Sequence, residues 1–210
     1  MSKSAIWYHD VWNLCSLSII CSLDAIYMYN TDISKLRTPQ LGQETNDFFL
    51  VFFYVVATYT ILDTLWLLLI PKCVPGAPTA LVVHHIFTFL LILVPYNLNQ
   101  FAWHFAAALL VEFNTLTIIL RRNVPRGTAL HAVIEWLFII TTLVFRVIMF
   151  PVLTVFYYQE WIRYSILLDG KYWNIMLFTP IALGALSLMS FQWLYVYVKN
   201  LFVPKKKDNR

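Results

Sequence analysis

Six apolar runs, each long enough to cross a membrane as a helix, divide the sequence. They cover residues 9–29, 48–70, 79–96, 101–120, 130–156 and 173–203. A hydrocarbon core of about 30 Å takes about 20 helical residues. Soluble domains carry charge on about 25% of their residues, whereas this chain does so on only 12%. The fold class is therefore predicted to be all-α, a polytopic transmembrane bundle with one bend expected at Pro151.

The chain is predicted to contain three parts. Residues 1–46 form a first transmembrane helix with a polar loop, 47–203 the main membrane domain and 204–210 a basic tail. The first helix is expected to be retained, because Asp24 interrupts its apolar run and no small-residue cleavage site follows. Residues 157–172 are predicted to be a second, mixed loop.

The distribution of Lys and Arg predicts the orientation, since cytoplasmic loops are enriched in them. With six spans, both termini lie on the same side as the loops 71–78 and 121–129. That side holds ten of the fifteen Lys and Arg residues and the other side holds four, while Arg146 lies within a span. Both termini are therefore predicted to be cytosolic. Positive charge collected at span ends does not suggest nucleic-acid binding.

Four spans place ionisable side chains at similar depths on the cytosolic half. With a rise of 1.5 Å per residue, Asp63 lies about 12 Å deep, His84 and His85 about 8 Å, and Glu112 about 13 Å. Glu135 lies at about 8 Å. Intramembrane ionisable groups usually face the bundle interior and pair with one another. This layer is the candidate functional site, although Asp63 could instead serve only as a hydrogen-bond acceptor for a neighbouring helix.

Other polar residues are expected to have structural roles. Asp24 and Arg146 both lie about 23 Å from the cytosolic face, so they are predicted to pair with each other, away from the histidine layer. Glu135 either belongs to that layer or pairs with Arg121 or Arg126.

Two other histidines, His104 and His131, are expected at the membrane interface, near span ends. The three cysteines imply no disulfide framework. Cys73, beside Lys72 at a membrane edge, is expected to be an unmodified thiol, with palmitoylation as the alternative.

A histidine beside a carboxylate suits general-base activation of an amine or hydroxyl toward a thioester. Adjacent helical positions diverge by about 100°, so one imidazole can face a cavity while the other is held by Asp63 or Glu112. A single zinc ion on His84, His85 and a carboxylate is the less favoured alternative. No phosphate-binding or dinucleotide-binding motif is present, and no cofactor is expected.

Several ordered elements together resemble one known family. They are Tyr59-Thr60-Ile61-Leu62-Asp63, Val83-His84-His85-Ile86-Phe87-Thr88, Leu110-Val111-Glu112-Phe113-Asn114-Thr115, Arg146 and Gln192-Trp193, in the second to sixth spans. In this order they resemble the TLC domain, shared by TRAM, Lag-type ceramide synthases and CLN-type proteins. The likeness covers about residues 47–203 and is nearer to the small TLC domain proteins.

The resemblance implies a protein of the endoplasmic reticulum or a related membrane that acts in lipid metabolism. In ceramide synthases the double histidine and a following acidic motif support acyl transfer from acyl-CoA to a sphingoid base. This chain departs from that motif, because Val111-Glu112-Phe113-Asn114-Thr115 replaces a His-Asp followed by another Asp. Two functions are therefore expected as alternatives: acyl-CoA-dependent acyl transfer, and non-catalytic lipid binding, sensing or trafficking. The sequence leaves the oligomeric state open, including a homo-oligomer.

Overall fold

A computed structural model of the protein describes residues 3–31, 47–74, 78–98 and 101–202. Within these ranges the chain is helical throughout, with short turns and no β-strand. The α-helices are α1 (Lys3–Asn30), α2 (Asp47–Leu69), α3 (Pro78–Asn97), α4 (Ala102–Leu109), α5 (Val111–Asn123), α6 (Ala129–Thr141), α7 (Phe150–Leu167) and α8 (Phe178–Phe202). Short 3₁₀ turns cover Pro71–Cys73 and Ile175–Leu177, and a π-helical segment covers Thr142–Met149.

Six helical stretches are long and apolar enough to cross a membrane, which confirms the predicted number of spans. They are Ala5–Asn30, Asp47–Leu69, Pro78–Asn97, Ala102–Asn123, Ala129–Leu167 and Ile175–Lys199. Residues 32–46 of the predicted polar loop lie outside the described residues, and so does the whole basic tail, 204–210. The division into three parts stays a prediction.

The fifth span is longer than predicted, and the expected loop over 157–172 is wrong for its first part. Helix α7 continues to Leu167 because no glycine or proline lies between Pro151 in its first turn and Gly170. There the backbone turns through positive φ at Asp169 and Gly170, and the Gly170 amide donates to the Ser165 carbonyl at 3.0 Å. The whole span of 39 residues is about 58 Å long, so it exceeds the bilayer thickness.

A π-helical segment in the fifth span precedes Pro151, where a bend was expected. Proline has no amide hydrogen to donate, and π-helical turns often occur where the regular hydrogen-bond ladder is interrupted. The segment is held from α5 by Asn114, whose amide nitrogen lies 2.8 Å from Thr142 Oγ1, 3.0 Å from Thr141 Oγ1 and 3.3 Å from the Phe138 carbonyl. Asn114 is completely buried.

The apolar core is concentrated at the end of the bundle where α2 begins and α3 ends. One cluster joins α1, α2 and α4 through residues such as Leu17, Phe52 and Phe105. A second joins α3, α4, α7 and α8, with Phe150 and Leu183 fully or almost fully buried. The opposite end contains most of the buried polar side chains and therefore accommodates the candidate site.

Contacts between helix ends place the start of α1 and the end of α8 at the same end of the bundle. Arg122, near the end of α5, forms an ion pair with Asp10 of α1. Glu135, near the start of α6, accepts a hydrogen bond of 2.9 Å from Tyr197 of α8. Since α5 and α6 are joined by a short turn, all four ends lie together; the assignment of this end to the cytosol stays a prediction.

Replacing Asn114 with alanine should lower the free energy of unfolding by about 1–3 kcal/mol, because buried polar partners lose their hydrogen bonds. The measurement is the thermal unfolding midpoint in detergent. Asn97→Ala is the matched control, since within the described residues the exposed Asn97 side chain bonds only to the Leu93 carbonyl of its own helix. Equal midpoints for the two variants would show that Asn114 does not hold the π-helical segment.

Cys73 should resist alkylation in the folded protein. It is fully buried, and burial, followed by the negative charges of Asp63 and Asp10, raises the pKa of its thiol, so less thiolate is present at a given pH. N-ethylmaleimide should label it only after denaturation. This burial also favours the unmodified thiol over palmitoylation.

A cysteine introduced at the neighbouring position 72 provides both the control and a test of orientation. Lys72 is exposed, so Lys72→Cys in a Cys73→Ala background should react quickly in the folded protein. In sealed microsomes, an impermeant maleimide added from the cytosolic side should label it. Labelling only after the vesicles are opened would reverse the predicted orientation.

Candidate functional site

A cavity of about 140 Å³, with ionisable side chains in a largely apolar wall, lies among the helices near the end at which α1 begins. All four residues predicted to form the centre of the site, His84, His85, Asp63 and Glu112, line it. Each is at most 9% exposed. Water needs at least about 10–15 Å³ of such volume, so the cavity has room for several waters or for a small reacting group.

His85 is held by α2. Its Nε2 lies 3.6 Å from Asp63 Oδ2, and its Nδ1 lies 3.1 Å from Thr64 Oγ1. The Thr64 hydroxyl donates its hydrogen to the Thr60 carbonyl at 2.6 Å, so its oxygen is left to accept from the imidazole. His85 therefore lies in the cavity wall with its Nδ1 beside Thr64 and its Nε2 beside the Asp63 carboxylate.

His84 occupies a different environment from its neighbour, because adjacent positions on α3 point in directions about 100° apart. Its ring centre lies 6.0 Å from that of Trp193 and 5.7 Å from that of His85. No hydrogen bond to the His84 ring is found within the described parts of the chain. His84 is therefore turned toward α8 and the cavity, not toward α2.

Arg146 also lines the cavity, although its predicted depth put it far from the histidines. Its Nε donates to Asn114 Oδ1, its Nη2 lies 3.2 Å from Thr115 Oγ1, and its guanidinium carbon lies 5.4 Å from the Trp193 ring centre. Helical side chains point toward the N-terminus of their helix. The Arg146 side chain therefore reaches back toward the histidine layer. The predicted depth was counted along the backbone and did not include the length of the side chain.

The predicted ion pair between Asp24 and Arg146 does not form. Asp24 is completely buried, and neither carboxylate oxygen has a hydrogen-bond partner in the described residues. Because α1 packs against α5, the nearest charged group that acts on Asp24 is Glu112, a second carboxylate, which repels it. Glu112 in turn interacts with Arg146, so the acidic group that faces Arg146 comes from α5.

Glu135 lies outside the cavity. It pairs with Arg121 and accepts a hydrogen bond from Tyr197, and the Arg121 guanidinium packs over the Phe138 ring at 4.8 Å. Of the two roles left open by the sequence, the structure shows pairing with Arg121. The link ties α5, α6 and α8 together at the surface of the bundle.

Two residues of α1, His9 and Asn13, line the cavity and were missed in the sequence. His9 Nε2 lies 2.9 Å from Asp63 Oδ1, and Asn13 Oδ1 accepts a hydrogen bond of 2.6 Å from Tyr59. The first span was expected to begin at residue 9, which put His9 at the membrane edge. The helix begins earlier, and the four-residue spacing of His9 and Asn13 on one helical face was the available signal.

His104 was expected at the interface, but it is buried. It is 1% exposed, and its ring is nearly parallel to that of Phe156 with centres 4.4 Å apart. His104 belongs to the aromatic core of α4 and α7, whereas His131 is only half-buried at the start of α6.

The zinc alternative, with His84, His85 and a carboxylate as ligands, stays a prediction. In the parts of the chain described here, no group of three or more His, Cys, Asp or Glu side chains is arranged to hold a metal ion. The two imidazoles near Asp63, those of His9 and His85, lie next to different oxygens of its carboxylate. What the arrangement can provide is a base next to a carboxylate, with two guanidinium groups, Arg122 and Arg146, in the same cavity wall.

Neutralising Glu135 should cost little stability, whereas neutralising Asp63 should cost much more. The Arg121–Glu135 side chains are 32% and 28% exposed, so Glu135→Gln should cost less than about 1 kcal/mol. Asp63→Asn should cost about 3 kcal/mol or more, because a buried charge partner of His9 and His85 is removed. Thermal unfolding in detergent measures both; equal losses would contradict this ranking.

Comparison of the chain with protein-family models, with curated proteins and with solved structures gave no match. The likeness to the TLC domain therefore rests on the sequence elements quoted above. The functional argument rests on the geometry of the cavity.

Proposed function

We propose that this integral membrane protein transfers an acyl group from a thioester such as acyl-CoA to the amine or hydroxyl of a membrane lipid. The observation that carries the proposal is the position of His85, which lines a buried cavity and has its Nε2 3.6 Å from the Asp63 carboxylate. An imidazole backed by a carboxylate is a suitable general base for activating such an acceptor.

The two histidines have different roles in this proposal. His85 accepts the proton of the acceptor, and Asp63 stabilises the imidazolium that forms. His84 and Arg146 lie near the same ring, that of Trp193, with distances to its centre of 6.0 Å for the His84 ring centre and 5.4 Å for the Arg146 guanidinium carbon. His84 and Arg146 therefore face the carbonyl oxygen, where negative charge develops during transfer.

The size of the cavity supports a substrate that lies partly in the bilayer. Pockets that enclose a whole ligand usually measure about 300–1,000 Å³, whereas this cavity measures about 140 Å³. It can hold the reacting groups but not their hydrocarbon chains. Those chains need a path out of the cavity between helices.

Two apolar grooves on the outer face of the bundle offer such a path. One, of about 250 Å³ between α2 and α3, includes His85 and Thr60, which also line the cavity. The other, of about 450 Å³ between α1 and α2, includes Tyr59 and Ile20, which do so too. A lipid could thus place its chain in a groove and its polar group beside His85.

The sequence likeness adds the endoplasmic reticulum as the proposed location and a sphingoid base as one proposed acceptor. A second candidate function is non-catalytic binding of an anionic lipid head group. It is favoured by Arg122 and Arg146 in the cavity wall. The departure of Val111-Glu112-Phe113-Asn114-Thr115 from the acidic motif of the ceramide synthases favours it too, since Asn114 of this stretch holds the fifth span.

The test begins with purification in mild detergent and mass spectrometry of bound lipid. Radiolabelled acyl-CoA is then supplied with sphingoid bases, lysolipids and other lipid amines and alcohols. The wild type should form an acylated lipid, and His85→Ala should reduce the rate by about 100-fold or more. His131→Ala is the matched control, because His131 does not line the cavity.

The outcomes separate the two candidate functions. No product with any acceptor, together with a stoichiometric anionic lipid that is lost in Arg146→Ala, would support the binding role and overturn catalysis. Product formation that survives His85→Ala in a folded protein would overturn the assignment of His85 as the base.

A further inference from the structure

One groove on the outer face of the bundle shares the candidate base with the cavity. It lies between α2 and α3, and His85 lines both the groove and the cavity. The other groove, between α1 and α2, has no histidine among its described lining residues. A hydrocarbon chain in the α2–α3 groove would therefore lie directly beside the residue that accepts the proton in the proposed reaction.

Apolar side chains form most of the α2–α3 groove. Ile61 and Leu65 line it from α2, and Ile86, Phe89 and Leu90 line it from α3. On each helix these residues are adjacent or are three or four positions apart, so they share one face. Ile61 and Ile86 are 47% and 52% exposed, and they form the rim of the groove toward the bilayer. A lipid chain can thus reach the groove from the side.

The polar residues of the groove offer little to a polar ligand. The Thr60 hydroxyl donates to the Val56 carbonyl at 2.9 Å, and the Thr64 hydroxyl donates to the Thr60 carbonyl at 2.6 Å. Both hydroxyl hydrogens are thus used within α2, and the Thr64 oxygen lies 3.1 Å from His85 Nδ1. The groove therefore suits a hydrocarbon chain, whereas a polar group is better placed in the cavity, which has ionisable side chains in its wall.

The groove covers the depth at which one leaflet has its chains. By its position in the sequence, His85 lies about 8 Å below the edge of the hydrocarbon core, and Leu90 lies five positions further along α3, about 7.5 Å deeper. The groove thus ends near the middle of a core about 30 Å thick. A lipid of the leaflet at the end where α1 begins can enter it without changing its orientation.

The α1–α2 groove is separated from the cavity by a hydrogen bond. Tyr59 lines both spaces, and its hydroxyl donates to Asn13 Oδ1 at 2.6 Å, which joins the two helices. Adjacent positions such as Tyr59 and Thr60 point about 100° apart, so the two grooves lie on different sides of α2. A lipid with one chain in each groove would have to pass this bond.

The size of the α2–α3 groove limits what it can hold. Its volume of about 250 Å³ is below the range of about 300–1,000 Å³ that is usual for pockets enclosing a drug-sized ligand. It has room for one lipid chain but not for two.

We propose that the acceptor is a single-chain lipid that enters sideways from the bilayer between α2 and α3, and that Ile61, Ile86 and Phe89 determine which chains are accepted. The chain lies in the groove, and the amine or hydroxyl lies in the cavity beside His85. The kinetic consequences rest on the proposed acyl transfer. In that reaction a C–N or C–O bond forms as the thioester C–S bond breaks, and the proton of the acceptor passes through His85 to the leaving thiolate.

The binding site can be tested without turnover. The complete protein is reconstituted in phosphatidylcholine vesicles with a long-chain alcohol that carries a diazirine in the middle of its chain, and it is irradiated without acyl donor. Mass spectrometry of the peptides should place the adducts on the stretches 61–65 and 86–90. Excess monoacylglycerol should suppress this labelling, whereas diacylglycerol, with the same kind of hydroxyl and a second chain, should not.

Three results of the labelling experiment would overturn the proposal. The first is that adducts lie mainly on the stretches 12–20 and 51–59 of the other groove. The second is equal suppression by diacylglycerol and monoacylglycerol. The third is labelling that excess monoacylglycerol does not reduce, which is the behaviour of ordinary boundary lipid.

A kinetic test uses a residue that lines the groove but not the cavity. Ile86→Trp should raise the KM for the acceptor by about 10-fold or more and leave the KM for acyl-CoA unchanged, because the larger ring fills the space of the chain. Ile19→Trp is the matched control, since Ile19 is 55% exposed and lines the other groove. An acceptor KM that Ile86→Trp leaves unchanged, or that Ile19→Trp raises equally, would overturn the entry route.

A smaller substitution covers the case in which Ile86→Trp does not fold, as judged by thermal unfolding in detergent. Ile86→Ala widens the groove, so it should reduce the preference for acceptors with one chain over acceptors with two. An unchanged preference would contradict the role of Ile86 in selecting the chain.

The two experiments keep the proposals apart. A wild-type protein that is labelled in the α2–α3 groove but shows no turnover would count against acyl transfer and not against the chain site. A wild type that turns over but is labelled in the α1–α2 groove would overturn only the entry route.

Discussion

The polar half of this bundle depends on the carboxylate of Asp63. It is buried where α1, α2 and α3 meet, and it interacts with an imidazole from each of the other two helices. A buried charge without partners would cost several kcal/mol, so these three helices must approach in one arrangement. The cavity is the space that remains once this requirement is met, since the apolar clusters fill the opposite end.

A second polar junction sets the far wall of the cavity. Asn114 of α5 binds both the π-helical segment and Arg146, which lies within that segment. The π-helical turns and the following Pro151 change the direction in which side chains leave the fifth span. Arg146 can thereby reach Thr115 and the Trp193 ring, and it enters the site from a helix whose other residues mostly face lipid.

The spans and the central residues could be predicted from the sequence for physical reasons. Long apolar runs have few alternatives to a transmembrane helix, and ionisable residues within them usually face the interior of the bundle. These two rules were enough to group four residues, His84, His85, Asp63 and Glu112. Depth along the backbone was not enough for Arg146, whose long side chain reaches back toward the N-terminus of its helix. His9 was missed because hydropathy does not locate the start of a helix whose first turns are polar and aromatic.

The contact between Asp10 and Arg122 has a consequence for the order in which the protein can be assembled. The two residues are 112 positions apart in the chain, so Asp10 reaches the membrane long before its partner is synthesised. His9 gains Asp63 with the second span, but Asp10 stays without its guanidinium until the fourth span has been inserted. During synthesis the first helix must therefore keep its polar face in the head-group region or against the insertion machinery, and it settles into the bundle only when more than half of the chain has been made.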